Sequence, residues 1–138
     1  MALPVRRAIP IKTMTADTAN KAGIVVVEDD PDLRQSLEVL LELDGYDVRT
    51  APDAETALQL VDQRLPDCVL LDLGLPGVNG IELTRQLRAR HGSGLLLVVL
   101  TGWSKEEYGQ AAEAAGVDHI MLKPFEMERL RRVLPPAR

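Results

Sequence analysis

Residues 67–80, DCVLLDLGLPGVNG, decide the fold. The run Cys68-Val69-Leu70-Leu71 is apolar at every position, the pattern of a strand covered on both faces of a sheet. Gly74, Pro76, Gly77 and Gly80 stop that strand at once and open a loop. Asp72 stands at the junction, carried by the strand and exposed by the loop. Strands covered on both faces belong to parallel sheets, and open α/β sheets bind ligands beyond the C-terminal ends of their strands. Position therefore makes Asp72 a candidate reacting residue, although an acid at a strand end also serves as a solvated turn former.

The same alternation recurs on either side. Residues 24–27, all β-branched, read as a strand ending in Glu28, Asp29 and Asp30. Asp30 is placed to cap a helix opened by Pro31, with Leu33, Leu37, Leu40 and Leu41 on its apolar face and Gly45 at its end. Residues 46–50 alternate apolar with polar, as an edge strand exposed on one side does. Asp53 caps the next helix, which turns Ala54, Ala57, Leu58 and Val61 inward.

Beyond the central stretch a helix is predicted over 81–90, with Leu83 and Leu87 inside and His91-Gly92-Ser93-Gly94 closing it. Residues 95–100 form a fourth strand, ending at Thr101-Gly102. A helix over 105–115 packs Ala111, Ala112 and Ala115 around Tyr108 and stops at Gly116. Residues 119–122 form the fifth strand, ending at Lys123-Pro124. The last helix, over 126–134, carries Met127, Leu130 and Leu134 inward before Pro135-Pro136. Strands and helices in strict alternation predict an α/β fold, a doubly wound five-stranded parallel sheet with right-handed crossovers.

A chain of 138 residues fits one domain that buries a core without disulfides or structural metals. Residues 1–22 mix prolines, threonines and charges without a period, so they read as an arm or linker, with the domain at 23–138. Aromatics are only 3% of the chain, so the core must be aliphatic. A net charge of -5 gives no general attraction to nucleic acid, and the basic clusters Arg6, Arg7, Lys12 and Arg129, Arg131, Arg132 read as solvated faces. Cys68 is the only cysteine and sits in an apolar run, which fits a core residue in a reducing cytoplasm. No apolar run approaches the roughly 18 residues of a membrane span, and residues 1–22 lack the continuous apolar segment a secretory signal needs, so neither secretion nor membrane spanning is expected.

Four strand ends carry reactive groups: Glu28 and Asp29, Asp72, Thr101, and Lys123. A parallel sheet puts them on one rim, and the order 2-1-3-4-5 of flavodoxin-like folds brings the three carboxylates together. Such crowding needs a cation; hard oxygen ligands and kept waters suit Mg²⁺. With a lysine and a hydroxyl beside it, the pocket suits phosphoryl transfer, in which Asp72 is the nucleophile. Mg²⁺, Lys123 and Thr101 would then take the three phosphoryl oxygens, and Gly102 leaves room for the incoming group.

The segments VVVEDDPDLR (25–34), LLDLGLPGVNG (70–80), VVLTG (98–102) and MLKPF (121–125) resemble, in order and spacing, the receiver domain of two-component response regulators. The resemblance implies that Asp72 accepts a phosphoryl group from the phosphohistidine of a sensor histidine kinase or a histidine phosphotransfer protein. It implies an acidic pair of Glu28 and Asp29, with Asp30 outside it, and a Gly74 backbone carbonyl joining the Mg²⁺ shell. Thr101 and Lys123 become phosphate sensors, in a protein that dephosphorylates itself slowly and does not turn over small substrates. Its output is expected through a protein target, as a monomer or a phosphorylation-dependent dimer, without nucleic acid or membrane contact.

One position departs from that pattern. Ile120 stands where receivers place a Tyr or Phe that turns inward on phosphorylation, which puts the usual switch in doubt; the neighbouring His119 reads as solvent-facing. Trp103, beside Gly102, is expected to govern water access to the phosphoryl group. Other readings compete with this one. A flavin module would need a phosphate-binding loop where the acids stand, and an Asp-based phosphatase would want an acid at Gly74. A degenerate receiver serving as a docking module, or the receiver segment of a hybrid histidine kinase, stays open.

Overall fold

Five strands, β1 (Gly23–Val27), β2 (Asp47–Ala51), β3 (Cys68–Asp72), β4 (Leu96–Thr101) and β5 (His119–Leu122), form one parallel sheet in the order β2-β1-β3-β4-β5. The helices between and after them are α1 (Pro31–Leu43), α2 (Ala54–Gln63), α3 (Gly80–His91), α4 (Lys105–Ala115) and α5 (Met127–Val133), with a short 3₁₀ turn at Gly92–Gly94. This computed structural model describes residues 21–75, 77, 79–102 and 105–137, and of 105–108 the backbone only. Residues 1–20 and Trp103, and the packing expected around Tyr108, lie outside the described residues.

The pleat of β3 explains how the sheet is covered. Successive residues point to opposite faces, so Val69 and Leu71 join one apolar cluster and Cys68 and Leu70 the other. The first cluster packs Ala54, Ala57 and Val61 of α2 and Leu83 and Leu87 of α3 against the sheet. The second packs Leu37 and Leu41 of α1 and Leu130 of α5. β2 is an edge strand, with polar residues half-exposed between Val48 and Ala51, as its alternation requires.

The expected caps form. Asp30 accepts from Asp32 N at 3.0 Å and Asp53 from Thr56 N at 2.8 Å, supplying acceptors to first-turn amides that helices leave unpaired. Gly45 and Gly116 follow α1 and α4 at φ +103° and +102°, a backbone that residues with a Cβ rarely adopt.

The structure differs from the sequence reading at a few edges. Leu40 is 36% exposed, because the buried stripe of α1 centres on Leu37 and Leu41 and leaves Leu40 at its border. Ala22 is fully buried, and its carbonyl accepts the Asp47 amide at 2.9 Å. β4 starts and ends one residue later than expected, which carries Thr101 into the strand. α5 ends at Val133; Leu134 stays buried while the Tyr46 hydroxyl donates to the Pro135 carbonyl and holds the following segment.

Candidate functional site

The rim of the sheet is built by register. β1 pairs β3 with Val27 opposite Leu71, and β3 pairs β4 with Asp72 opposite Leu100. Glu28 therefore leaves β1 beside Asp72, and Thr101 comes one residue after Asp72's neighbour. Ligand oxygens of Glu28, Asp29 and Asp72 lie within 4.8 Å of one another. Their surroundings differ: Glu28 is buried, Asp72 half-buried and Asp29 exposed.

Lys123 reaches this cluster from the end of β5, which pairs with β4 through Thr101 and Leu122. Its Nζ lies 2.8 Å from Glu28 Oε1 and 3.4 Å from Asp72 Oδ2. The Lys123 amide donates to the Thr101 carbonyl at 2.7 Å, which ties the two strand ends together. The Lys123-Pro124 peptide is cis, a feature with no signal in the sequence beyond the proline itself. Thr101 is 2% exposed, at the inner wall of the site.

Behind Asp72 the loop is anchored closely. The Gly74 amide donates to Asp72 Oδ1 at 3.2 Å, and the Gly80 amide donates to the Leu73 carbonyl at 3.0 Å. A Cβ on Gly80 would stand 2.6 Å from Leu73 Cα and nearer still to the Asp72 carbonyl, so α3 can begin there only with glycine. Asn79 caps α3 by accepting from Glu82 N, and the buried Thr84 hydroxyl donates to the Gly80 carbonyl at 2.8 Å.

Electrostatics follow from burial and crowding. Burial pushes the Glu28 carboxyl above its ordinary range; the Lys123 hydrogen bond and the Asp30 amide oppose that push, and the Asp72 charge adds to it. Burial pulls the Lys123 ammonium down, but the Glu28 hydrogen bond and the charges of Asp72 and Glu28 outweigh it and hold it above the usual lysine range. Three carboxylates thus face a firmly protonated lysine that offsets only part of their charge. Hard oxygen donors in this number fit a Mg²⁺ ion that keeps several waters.

The structure brings together Glu28, Asp29, Asp72, Thr101 and Lys123. Gly74 and Gly102 are exposed beside them. Ile120 stands two residues before Leu122 on β5, half-buried against the cluster that includes Leu97 and Val99, and His119 is exposed. Sequence reasoning missed Arg34, whose guanidinium contacts the end of β1. Its place four residues after the cap Asp30 gave no signal for this partner, which is the Glu28 carbonyl six residues back.

A parallel sheet in this order, with these acids and this lysine on its rim, defines a receiver domain of two-component signalling. A family model described as the response regulator receiver domain matches residues 24–135, and the chain belongs to that family. It is 40% identical over 107 residues to the DNA-binding response regulator MtrA of Mycolicibacterium smegmatis, covering 78% of this chain and 46% of that protein. The matched stretch covers less than half the length of several of these curated relatives. Among solved structures, the chemotaxis response regulator CheY4 of Vibrio cholerae aligns with a TM-score of 0.75 and 28% identity, over 82% of this chain and 98% of that one. The receiver domain of NtrX from Brucella abortus aligns with a TM-score of 0.74 and 33% identity, over 80% and 92%. No helix among the described residues is long and apolar enough to cross a membrane.

Proposed function

We propose that Asp72 is the phosphoacceptor of a cytoplasmic phosphorelay and that its modification switches a protein-binding surface. The supporting observation is the convergence of Glu28, Asp29 and Asp72 within 4.8 Å beside the Lys123 ammonium. An Asp72 carboxylate oxygen attacks the phosphorus of a phosphohistidine on a sensor kinase or phosphotransfer protein. The O–P bond forms as the P–N bond breaks, and the imidazole leaves with the electron pair and takes up a proton. Water later adds to phosphorus, the Asp72 O–P bond breaks, and phosphate departs.

Glu28, Asp29, Asp72 and the Gly74 carbonyl would hold Mg²⁺, which when bound neutralises charge on the transferring oxygens. Lys123 places a fixed positive charge against one phosphoryl oxygen, and the Thr101 hydroxyl donates to another. Gly102 has no side chain to block the approach. Trp103 retards water entry, so Trp103→Ala should dephosphorylate faster.

A groove of about 540 Å³ between Leu33 and Leu40 of α1 and Phe125 and Met127 opens at Asp30 and Lys123. Its continuity with the site makes it the seat of the histidine-bearing donor. Ile120 lacks a polar tip and is already half-buried, so the readout runs without an aromatic side chain exchanging solvent for the core. The test is beryllofluoride with Mg²⁺, followed by the fluorescence of the single tryptophan. A response in the wild type and none in Asp72→Asn is expected; equal responses would contradict the reading.

A further inference from the structure

Glu28 follows directly on β1, and its amide still donates to the Ala51 carbonyl of β2, at 3.0 Å. Its carbonyl lies at the point where β1 has run out, and a buried carbonyl needs a donor. Arg34 supplies it, with Nη1 2.8 Å from the Glu28 oxygen. The contact is unusual for its surroundings. Glu28, Asp29 and Asp30 stand four to six positions before Arg34 in the chain, and yet the guanidinium donates to a backbone carbonyl.

We propose that Arg34 is a positioning residue for the cation site, acting through the Glu28-Asp29 peptide. That peptide is planar, so fixing the Glu28 carbonyl also fixes the direction of the Asp29 amide and the place of the Asp29 Cα, from which its side chain projects. Asp29 is exposed, so packing does not aim its carboxylate. The Glu28 side chain is separately held, by Lys123 at Oε1 and by the Asp30 amide at Oε2, 3.2 Å away. Arg34 is half-buried and rooted in α1, whose start is capped by Asp30; its own amide donates to the Asp30 carbonyl at 2.9 Å. The result is a short rigid link from α1 to the acid that packing leaves free.

The inference rests on the phosphoacceptor reading, and the sign of one measurement separates it from simple electrostatics. Arg34→Met removes both a donor and a positive charge. Charge alone predicts tighter Mg²⁺ binding, because a cation near the carboxylates is gone. Loss of positioning predicts weaker binding, by about tenfold, as for other residues that orient metal ligands.

The experiment is a calorimetric titration of the full chain with Mg²⁺, beside a melting curve, for wild type, Arg34→Met and Arg34→Lys. Weaker binding in Arg34→Met, with Arg34→Lys within about threefold of wild type, is expected, since an ammonium also donates to a carbonyl. Arg34→Leu, uncharged and without a donor, replaces the Met variant should that not fold, and the same weakening is expected. Unchanged or tighter binding in the uncharged variant would overturn the proposal. So would a loss that Arg34→Lys does not restore and that tracks the melting temperature, which marks a structural role only. A wild type that takes up no Mg²⁺ would overturn the phosphoacceptor reading itself, and this inference with it.

Discussion

Lys123 Nζ lies 2.8 Å from Glu28 Oε1, joining two residues 95 positions apart in sequence. The pair holds the ends of β1 and β5 to one site although three other strands separate them in the chain. Removing the ammonium leaves a buried carboxylate without its counter-charge. Lys123→Met is therefore expected to lower stability by about 1 to 3 kcal/mol, measured by urea unfolding without Mg²⁺.

The pH dependence of that loss has a definite sign. The folded pKa of Glu28 is already raised by burial, and it rises further when Lys123 is gone. A carboxyl with a raised folded pKa contributes stability below its unfolded value that is lost as pH climbs through the folded value. The deficit of Lys123→Met should thus be small in acid and grow as the pH rises through the raised folded pKa of Glu28. A deficit that shrank with rising pH would contradict the assignment.

Crowded carboxylates make the metal-free protein less stable than it need be. Asp29→Asn should raise its metal-free stability by about 0.5 to 1 kcal/mol, because it removes one like charge from the cluster. Mg²⁺ at a hundredfold excess over its dissociation constant should stabilise the wild type by about 2.7 kcal/mol, and Asp29→Asn by much less. Thermal unfolding with and without the ion reads both effects.

Gly80→Ala tests the loop behind Asp72. The added methyl meets backbone at both Asp72 and Leu73, neither of which can rotate away. A loss of about 1 to 3 kcal/mol is expected, with slower phosphorylation of the folded fraction, because relief of the overlap must displace Asp72.

A second arginine ties two turns together away from the site. Arg88 donates to the carbonyls of Gly92, Leu95 and Gly116 at 2.6, 2.7 and 2.6 Å, and to Asp118 Oδ2 at 3.0 Å. It thereby fastens the turn after α3 to the turn after α4, at the end of the sheet away from Asp72. Arg88→Ala should cost about 2 to 3 kcal/mol and leave Mg²⁺ affinity unchanged, as equilibrium unfolding and calorimetry would show.

The sheet was legible because both-face burial leaves unbroken apolar runs, as at residues 68–71, and because Gly45 and Gly116 mark helix ends. The converging side chains were legible as well, since every strand of a parallel sheet delivers its C-terminal residue to the same rim. What the residues did not announce were contacts made by long side chains to backbone. Arg34 and Arg88 look in sequence like solvated helix arginines, and only the folded chain shows which carbonyls they meet. The exposure of Leu40 was likewise missed, because the width of a buried helical stripe depends on the neighbour packed against it.

The most direct measurement is the intact mass of the protein after incubation with acetyl phosphate and Mg²⁺. Wild type is expected to gain one phosphoryl group, lost again on standing, and Asp72→Asn to gain none. A wild type without the gain, or an Asp72→Asn variant with it, would contradict the assignment of Asp72 as the phosphoacceptor.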